Sequence, residues 1–472
     1  MSDDLHWLSI AELGERLHRR EVNSVEATEA TLRRIKATEG AVHAYAGVMA
    51  DSALAEAARA DEELDRGESR GPLHGVPIGV KDLLYTAGFP TSGGSRVLAD
   101  FVPDEDAAVV RRLRDAGAVI VGKTVTHEFA YGQDVPSTLN AWDLRCYPGG
   151  SSAGSGVSVA VGSAYGAIGT DTGGSIRAPA AVNGVVGLKP THGRVSRRGV
   201  LPMSPTLDTT GPLTRTVRDC ALMLGAIAGG DRDDPTVIDE PVPDYISALT
   251  PELAGVRVGV ERGYFFYEFV SDDVRAAVED ALAELQRLGA TIVEVEKIEN
   301  LELSVAAGMS VLVGDTSEWH QTLLRERGAL YVRETRAMLE LGEILFAPAY
   351  VKAQKVRTLV QAGVRAAFEA NDLHALAAPT LPLTTMPVEQ LSVDLTGSGE
   401  TALSSFIHHC FVANLVGIPA LSVPVGFDST RLPIGMQLFG RPFGEPDLFR
   451  IGNAYQSATP WHEQHPELVA VA

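Results

Sequence analysis

The pattern of apolar and polar positions predicts that helices open the chain. Residues 8–37 carry apolar residues at helical spacing, which predicts two amphipathic helices with Ser9 and Ser24 as N-caps. An Ala- and Glu-rich segment predicts a third helix over residues 50–66. The break after it, a Gly- and Pro-containing stretch at residues 71–77, separates these helices from the rest of the chain.

Beyond that break, helical patterns alternate with short, continuous apolar runs. The apolar runs predict strands over residues 78–82, 118–122, 167–170, 256–260, 291–295, 374–378, 421–425 and 435–439. The helical patterns lie over residues 105–117, 157–161, 217–229, 272–288 and 445–458, and residues 300–370 are predicted to be mostly helical. Strands that are apolar throughout are buried on both faces, which is typical of an α/β fold.

Composition and charge restrict the partners and the compartment. Lys and Arg number 40 against 61 Asp and Glu, a formal net charge of -21, which argues against a nucleic acid or an anionic membrane as a partner. The three cysteines, Cys146, Cys220 and Cys410, form neither a disulfide framework nor a Cys-x-x-Cys metal site. Residues 1–4 are acidic, without the basic and apolar regions of a signal peptide, and we predict a cytoplasmic protein.

The densest chemical signal is a Gly- and Ser-rich stretch over residues 148–156, followed by a second one over 170–177. Apolar runs flank both, so the glycines lie at turns inside a folded body rather than in a linker. A phosphate-binding loop would need a Walker or dinucleotide spacing, which Val159 and the lack of a following Lys do not satisfy. The alternative is an oxyanion site, in which consecutive N–H groups face one point beside a serine, here Ser175.

These segments, with several others in order, resemble the amidase signature hydrolases. The matching blocks are KD (81–82), GGSS (149–152), DTGGSIR (171–177), GLKPT (187–191), NLVGIPA (414–420) and PIGMQL (433–438). The resemblance covers residues 70–460 and implies an α/β fold with a large mixed β-sheet core flanked by helices on both sides. No linker divides the chain, and we predict one amidase domain over residues 1–472. Its parts are N-terminal helices (1–66), a core (70–230 and 370–460) and a variable, mostly helical region (300–370).

The resemblance implies a Ser-Ser-Lys triad. Ser175 would be the nucleophile that forms an acyl-enzyme, and Ser151, after a cis peptide bond, would link it to Lys81. Lys81 would act as the base and must therefore be neutral. A solvated lysine titrates near pH 10.4, so burial must bring its pKa to about 8 or below. The apolar residues before Lys81 provide such a setting.

Further site residues follow from the same resemblance. Thr172, Gly173 and Gly174, with Ser175, would supply oxyanion-hole N–H groups, and the backbone near Ala130 would either contact the substrate or form a plain packing loop. The supporting residues would be two hydroxyls and one ion pair, namely Ser152 and Thr170, and Asp171 with Arg177. Neither a metal nor a cofactor is expected.

We therefore predict hydrolysis of a small-molecule carboxylic amide, an aryl amide, or a carbamoyl or urea-like substrate. The alternative is a glutamine-hydrolysing, ammonia-producing subunit of an amidotransferase complex. Asp208 lacks the following Gln that such subunits usually show, which weakens that alternative. A homodimer is the candidate assembly, and the pocket is expected to draw on residues 300–400.

Overall fold

The computed structural model describes residues 5–131, 135–392 and 401–468. Residues 1–4, from which we predicted the lack of a signal peptide, lie outside the described residues, as do residues 393–400 of the expected pocket region. Within the described ranges, no helix combines the length and apolar character that a bilayer span requires.

One mixed sheet of eleven strands forms the centre of the described chain, in the order β1-β3-β2-β4-β6-β5-β10-β11-β9-β7-β8. The strands are β1 (Tyr45–Val48), β2 (Pro77–Lys81), β3 (Val119–Thr124), β4 (Gly166–Asp171), β5 (Val186–Lys189), β6 (Thr209–Thr214), β7 (Arg257–Glu261), β8 (Thr291–Val295), β9 (Ala375–Pro379), β10 (Ala420–Phe427) and β11 (Pro433–Gly440). Strand β2 is parallel to both β3 and β4, whereas β4 is antiparallel to β6.

Helices flank this sheet on both sides, as expected for the predicted fold class. The α-helices of the described residues are α1 (Ile10–His18), α2 (Ser24–Val42), α3 (Ala50–Asp65), α4 (Ala108–Asp115), α5 (Ala153–Ala160), α6 (Arg177–Asn183), α7 (Val217–Ile227), α8 (Arg262–Phe265), α9 (Asp272–Arg287), α10 (Ser304–Arg327), α11 (Arg333–Glu343), α12 (Ala347–Ala370), α13 (Ala402–Val416) and α14 (Glu445–Ala458). The segment 300–370 is mostly helical, as predicted.

The predicted strands are confirmed, but the structure contains elements that the pattern did not reveal. Strands β1, β5 and β6 and helix α13 were not predicted. Strand β6 contains Gly211 and Pro212, which are rare inside strands and obscure the signal. The prediction of Ser24 as an N-cap is wrong: Asn23 caps α2 in a capping box with Glu26, and the Ser24 hydroxyl instead donates to the carbonyl of Gly75.

Candidate active site

Two parallel strands bring the first polar groups of the site together. Val80 of β2 pairs with Ile168 of β4, and Lys81 and Thr170 follow at the same end of the two strands. Carboxyl ends of neighbouring parallel strands lie at one edge of a sheet, where loops can form a site. Strand β2 is apolar up to its last residue and is buried along its whole length. Its last residue, Lys81, is therefore also inaccessible to solvent.

The Lys81 amine lies among hydroxyl groups. Its Nζ donates to Ser151 Oγ at 2.8 Å, Ser152 Oγ at 3.0 Å and Thr170 Oγ1 at 2.8 Å. No carboxylate oxygen of the described residues lies within 4 Å of Nζ, since Lys81 takes part in no ion pair there. The amine is thus solvated by neutral dipoles rather than paired with a negative charge.

This environment favours the neutral form of the amine. Burial lowers the pKa of Lys81 to about 7, although the nearby carboxylates of Asp171 and Asp208 partly oppose the shift. An amine with a pKa near 7 is unprotonated in a large fraction of molecules at neutral pH and can accept a proton.

Ser151 and Ser152 lie directly before helix α5. The peptide bond between Gly150 and Ser151 is cis, as the resemblance implies. Gly150 has no room for a side chain, because a Cβ there would lie 2.2 Å from His127 Cε1 and 2.5 Å from the Tyr147 hydroxyl. This close packing fixes the backbone that carries Ser151.

Ser175 lies on the turn between β4 and α6. Its carbonyl accepts a hydrogen bond from the Ser152 N–H at 3.3 Å, which joins the two serine segments. Within the described chain, the Ser175 hydroxyl has no hydrogen-bond partner, and Ser151 Oγ is not bonded to it. The side chain is half-buried and lines a cavity together with Ser151.

Asp171 organises this turn from inside. Its carboxylate accepts hydrogen bonds from the N–H groups of Gly174 at 2.9 Å and Ile176 at 3.1 Å. The N–H of Gly174, which the resemblance implies as an oxyanion donor, thus already has an acceptor within the turn, and its role stays a prediction. No described backbone oxygen accepts from the N–H groups of Thr172, Gly173 and Ser175. Of these three residues, Gly173 and Ser175 line the cavity that Ser151 lines, and Thr172 does not.

A buried ion pair holds Asp171 in turn. Arg177 donates to Asp171 through Nε at 3.1 Å and a terminal nitrogen at 3.0 Å, and it also binds Gln437, Asn414 and the carbonyl of Cys410. Burial alone would raise the pKa of Asp171, but the guanidinium holds this pKa well below its usual range. The predicted bracing role of the pair agrees with these contacts.

A cavity of about 250 Å³ opens in front of Ser151 and Ser175. Apolar side chains from α10, α13 and nearby loops form much of its wall, namely Met203, Met309, Leu312, Phe406, Ile407 and Phe411. None of the described residues that line the cavity carries a charged side chain. A substrate bound in this cavity is thus expected to be apolar around the carbonyl group that reacts.

Ala130 lines the same cavity, beside Tyr131 and Tyr147. Ala130 and Phe129 both have left-handed backbone conformations, with φ of +63° and +48°. The Ala130 N–H donates to the carbonyl of His127, which holds this unusual turn against the cavity. Ala130 thus lines the cavity next to Ser151 and Ser175, and its contact with the substrate stays a prediction.

The sequence analysis did not identify the residues that shape the cavity. The pocket-lining residues of α13, such as Phe406, Ile407 and Phe411, lie in a helix that was not predicted. Apolar residues are spread around this helix among serines and histidines, so it shows no amphipathic period from which a helix or its inner face could have been predicted. In the described ranges, no group of three His, Cys, Asp or Glu side chains is placed to hold a metal ion.

Comparisons with known proteins agree with this geometry. A family model described as Amidase matches residues 26–449. An amidase from Pseudomonas putida is 43% identical over 464 residues, which cover 98% of both chains. A glutamyl-tRNA(Gln) amidotransferase subunit from Moorella thermoacetica is 42% identical, with 98% of this chain and 99% of that protein covered.

Similarity also extends to solved structures. The native peptide amidase from Stenotrophomonas maltophilia matches with a TM-score of 0.83 at 36% sequence identity, and the match covers 96% of each chain. Both the fold and nearly the full length are thus shared with enzymes that hydrolyse amide bonds. The chain therefore belongs to the amidase signature family of amide-hydrolysing enzymes.

Proposed function

We propose that this enzyme hydrolyses uncharged carboxylic amides, including aryl amides and carbamoyl or urea-like compounds, through a Ser-Ser-Lys triad of Ser175, Ser151 and Lys81. The observation that carries the proposal is the hydrogen bond between the buried Lys81 Nζ and Ser151 Oγ at 2.8 Å. A neutral amine next to a hydroxyl is a proton acceptor with the geometry that general-base catalysis needs.

In the first half of the reaction, Ser175 Oγ attacks the carbonyl carbon of the amide. The Ser175 proton passes to Ser151 Oγ, and the Ser151 proton passes to neutral Lys81 Nζ. The carbonyl oxygen gains the negative charge and accepts hydrogen bonds from the N–H groups of Gly173 and Ser175. Ser151 then protonates the leaving nitrogen, Lys81 returns its proton to Ser151, and the C–N bond breaks to leave acyl-Ser175.

In the second half, water attacks the acyl-enzyme and gives its proton to the same relay. The tetrahedral intermediate collapses, the bond between the acyl carbon and Ser175 Oγ breaks, and the Ser175 hydroxyl regains its proton. Both halves require a hydrogen bond between the two serine hydroxyls. No described group restrains the Ser175 hydroxyl, so rotation of its side chain toward Ser151 breaks no existing hydrogen bond.

The cavity supports the choice of an uncharged substrate. Phe406, Phe411 and Met309 favour an apolar or planar acyl group, while a free ammonium or carboxylate would be desolvated there without a partner. We expect kcat/KM for an aryl amide to exceed that for L-glutamine by about a hundredfold or more, which corresponds to roughly 3 kcal/mol of lost charge solvation.

Covalent labelling tests the proposal. The protein is incubated with a fluorophosphonate and, separately, with a panel of amides, and peptide mass spectrometry then locates the added mass. We expect the label on the peptide that contains Ser175 and none on a Ser175→Ala variant, which should retain its fold and lose at least about three orders of magnitude in kcat. Amide hydrolysis at the wild-type rate by Ser175→Ala would refute the proposed nucleophile.

The second candidate is a glutamine-hydrolysing subunit of an amidotransferase, which the similarity to the Moorella thermoacetica protein favours. Such a protein would need partner chains and would bind a zwitterionic amino acid. The isolated chain should then release ammonia from glutamine only after those partner chains are added. Hydrolysis of simple amides by a monomer or homodimer, measured with light scattering on the same sample, would exclude this candidate. The homodimer and the cytoplasmic location stay predictions.

A further inference from the structure

A second cavity lies behind the turn that carries Ser175. Its volume is about 260 Å³, and its wall includes Thr170, Thr172, Met203 and Asp208. Thr170 is a hydrogen-bond partner of Lys81, and Met203 lines the front cavity as well. The turn 172–175 thus lies between the two cavities: Thr172 lines the rear one, and Gly173, Gly174 and Ser175 line the front one.

The Thr172 side chain anchors this turn on the side of the rear cavity. Thr172 Oγ1 donates to Asp208 Oδ1 at 2.6 Å, a short hydrogen bond to a carboxylate. The carboxylate also accepts from the N–H groups of Met203 at 2.9 Å and Ser204 at 3.1 Å, which fix its orientation. Thr172 and Asp208 are both buried.

Asp208 is a buried carboxylate without a cationic partner in contact. No Lys, Arg or His nitrogen of the described residues lies within 4 Å of it, whereas Asp171 on the other side of the turn is paired with Arg177. Burial raises the pKa of the Asp208 carboxyl. A buried, unpaired charge costs stability, and such groups are concentrated at functional sites.

We propose that Asp208 is a positioning residue for amide hydrolysis, which holds Thr172 and thereby keeps the N–H groups of Gly173 and Ser175 aimed at the substrate oxygen. This inference rests on the proposed function. Asp171 fixes the far end of the turn through Gly174 and Ile176, and Asp208 fixes its beginning. Donors that are held before the reaction stabilise the oxyanion without reorganisation, so the anchor acts on kcat rather than on KM.

The Asp208 carboxylate also affects the pKa of Lys81, the proposed base. The charged and titratable groups that face Lys81 are Asp171, Asp208 and His127. Burial keeps the His127 ring neutral, with a pKa of about 3, and Arg177 offsets the charge of Asp171. The charge of Asp208 is offset by Arg197, which is not in contact with it, and it favours the protonated amine. Its removal should therefore shift the acidic limb of the pH–rate profile to lower pH.

Three substitutions separate these effects. Thr172→Val removes the hydroxyl and keeps shape and charge, so we expect kcat to fall by about tenfold or more with KM and the acidic limb unchanged. Thr172→Ser keeps the hydroxyl and should stay within about threefold of the wild type. Asp208→Asn removes the charge and one acceptor, so kcat should fall and the acidic limb should move to lower pH.

Asp234→Asn is the matched control. Asp234 lines the same rear cavity, is buried and accepts from the backbone N–H groups of Arg197 and Thr236, but it does not contact the turn. We expect this variant to keep the wild-type kcat and pH profile. Circular dichroism and thermal melting of all four variants show whether each is folded before its rate is interpreted.

The outcomes distinguish the positioning role from the triad itself. If Ser175→Ala is inactive but Thr172→Val retains wild-type kcat, the positioning role is refuted and the triad stands. If Asp208→Asn leaves the acidic limb in place, the effect of the Asp208 charge on Lys81 is refuted. If Asp208→Asn does not fold, Thr172→Val still decides the question. If Ser175→Ala is active, the proposed function itself fails.

Discussion

Lys81 Nζ lies 2.8 Å from Ser151 Oγ, with no solvent access and no carboxylate of the described chain within 4 Å. An amine in this position can be neutral at neutral pH, which distinguishes it from an ordinary lysine in a salt bridge. The two residues are far apart in sequence and meet because β2 ends where the segment before α5 passes the sheet.

The rate of amide hydrolysis should rise with pH through an apparent pKa of about 7. Burial lowers the pKa of Lys81 to about 7, and only the unprotonated amine can accept the proton of Ser151. The measurement is kcat/KM between pH 5 and 9 for an uncharged amide. Lys81→Met should lose at least about three orders of magnitude in rate. A profile with the same acidic limb in that variant would assign the limb to another group.

Lys81 should also make the stability of the enzyme depend on pH. Its folded-state pKa of about 7 lies below the value of 10.5 for a free lysine, so the unfolded chain binds more protons between these pH values. The destabilisation caused by burying the amine is therefore fully present below pH 7 and disappears as the pH rises toward 10.5. The measured quantity is the unfolding free energy of Lys81→Met minus that of the wild type. This difference should rise by on the order of a few kcal/mol when the pH is lowered from 10 to 6.

This comparison isolates Lys81 from the other buried lysines. Burial also lowers the pKa of Lys123 to about 8 and that of Lys189 to about 7, and both remain in the variant. Their contributions cancel when urea unfolding of the two proteins is compared at each pH. A difference in stability that is constant from pH 6 to pH 10 would show that Lys81 titrates normally.

Gly150→Ala should damage the site. The new Cβ would lie 2.2 Å from His127 Cε1 and 2.5 Å from the Tyr147 hydroxyl, so the backbone before Ser151 must shift. We expect a loss of about 1–3 kcal/mol in unfolding free energy and a large loss of kcat. Gly40→Ala is the control, since it lies in α2 with nothing within 4 Å and should gain about 0.5–1 kcal/mol. Wild-type activity in Gly150→Ala would contradict the rigid packing of this loop.

Arg177→Met should be strongly destabilising. It leaves the buried Asp171 carboxylate without its cation, and we expect a loss of about 3–5 kcal/mol in urea unfolding at pH 7. The pKa of Asp171 lies below its usual range in the wild type, so its contribution to stability is present above the unfolded pKa and is lost as pH falls through the folded value.

Arg177→Met should also lose this contribution to stability at low pH, because its Asp171 no longer has a depressed pKa. Arg336→Met breaks an exposed pair with Glu340 and serves as the control, with little change in the unfolding midpoint. Equal midpoints for the two variants would show that the buried pair does not stabilise the turn.

The backbone elements that carry Lys81, Ser151 and Ser175 could largely be predicted from the sequence. The apolar run before Lys81 predicts a buried strand that ends in an inaccessible amine, and the Gly- and Ser-rich blocks before Ser151 and Ser175 predict tight turns between buried elements. These are local properties, because strand burial and turn formation depend on residues that are neighbours in the chain. The helical character of residues 300–370 follows from local periodicity in the same way.

The tertiary structure alone decided which groups remain free to act. It showed that Asp171 occupies the Gly174 N–H, that Asp208 holds Thr172, and that α13 supplies the apolar wall of the cavity. Each of these contacts joins side chains and backbone groups whose relative positions depend on how the sheet and its helices pack. No spacing or periodicity encodes that packing, because a hydrogen-bond donor or an apolar side chain has the same sequence signature whether its partner is water, another helix or a substrate.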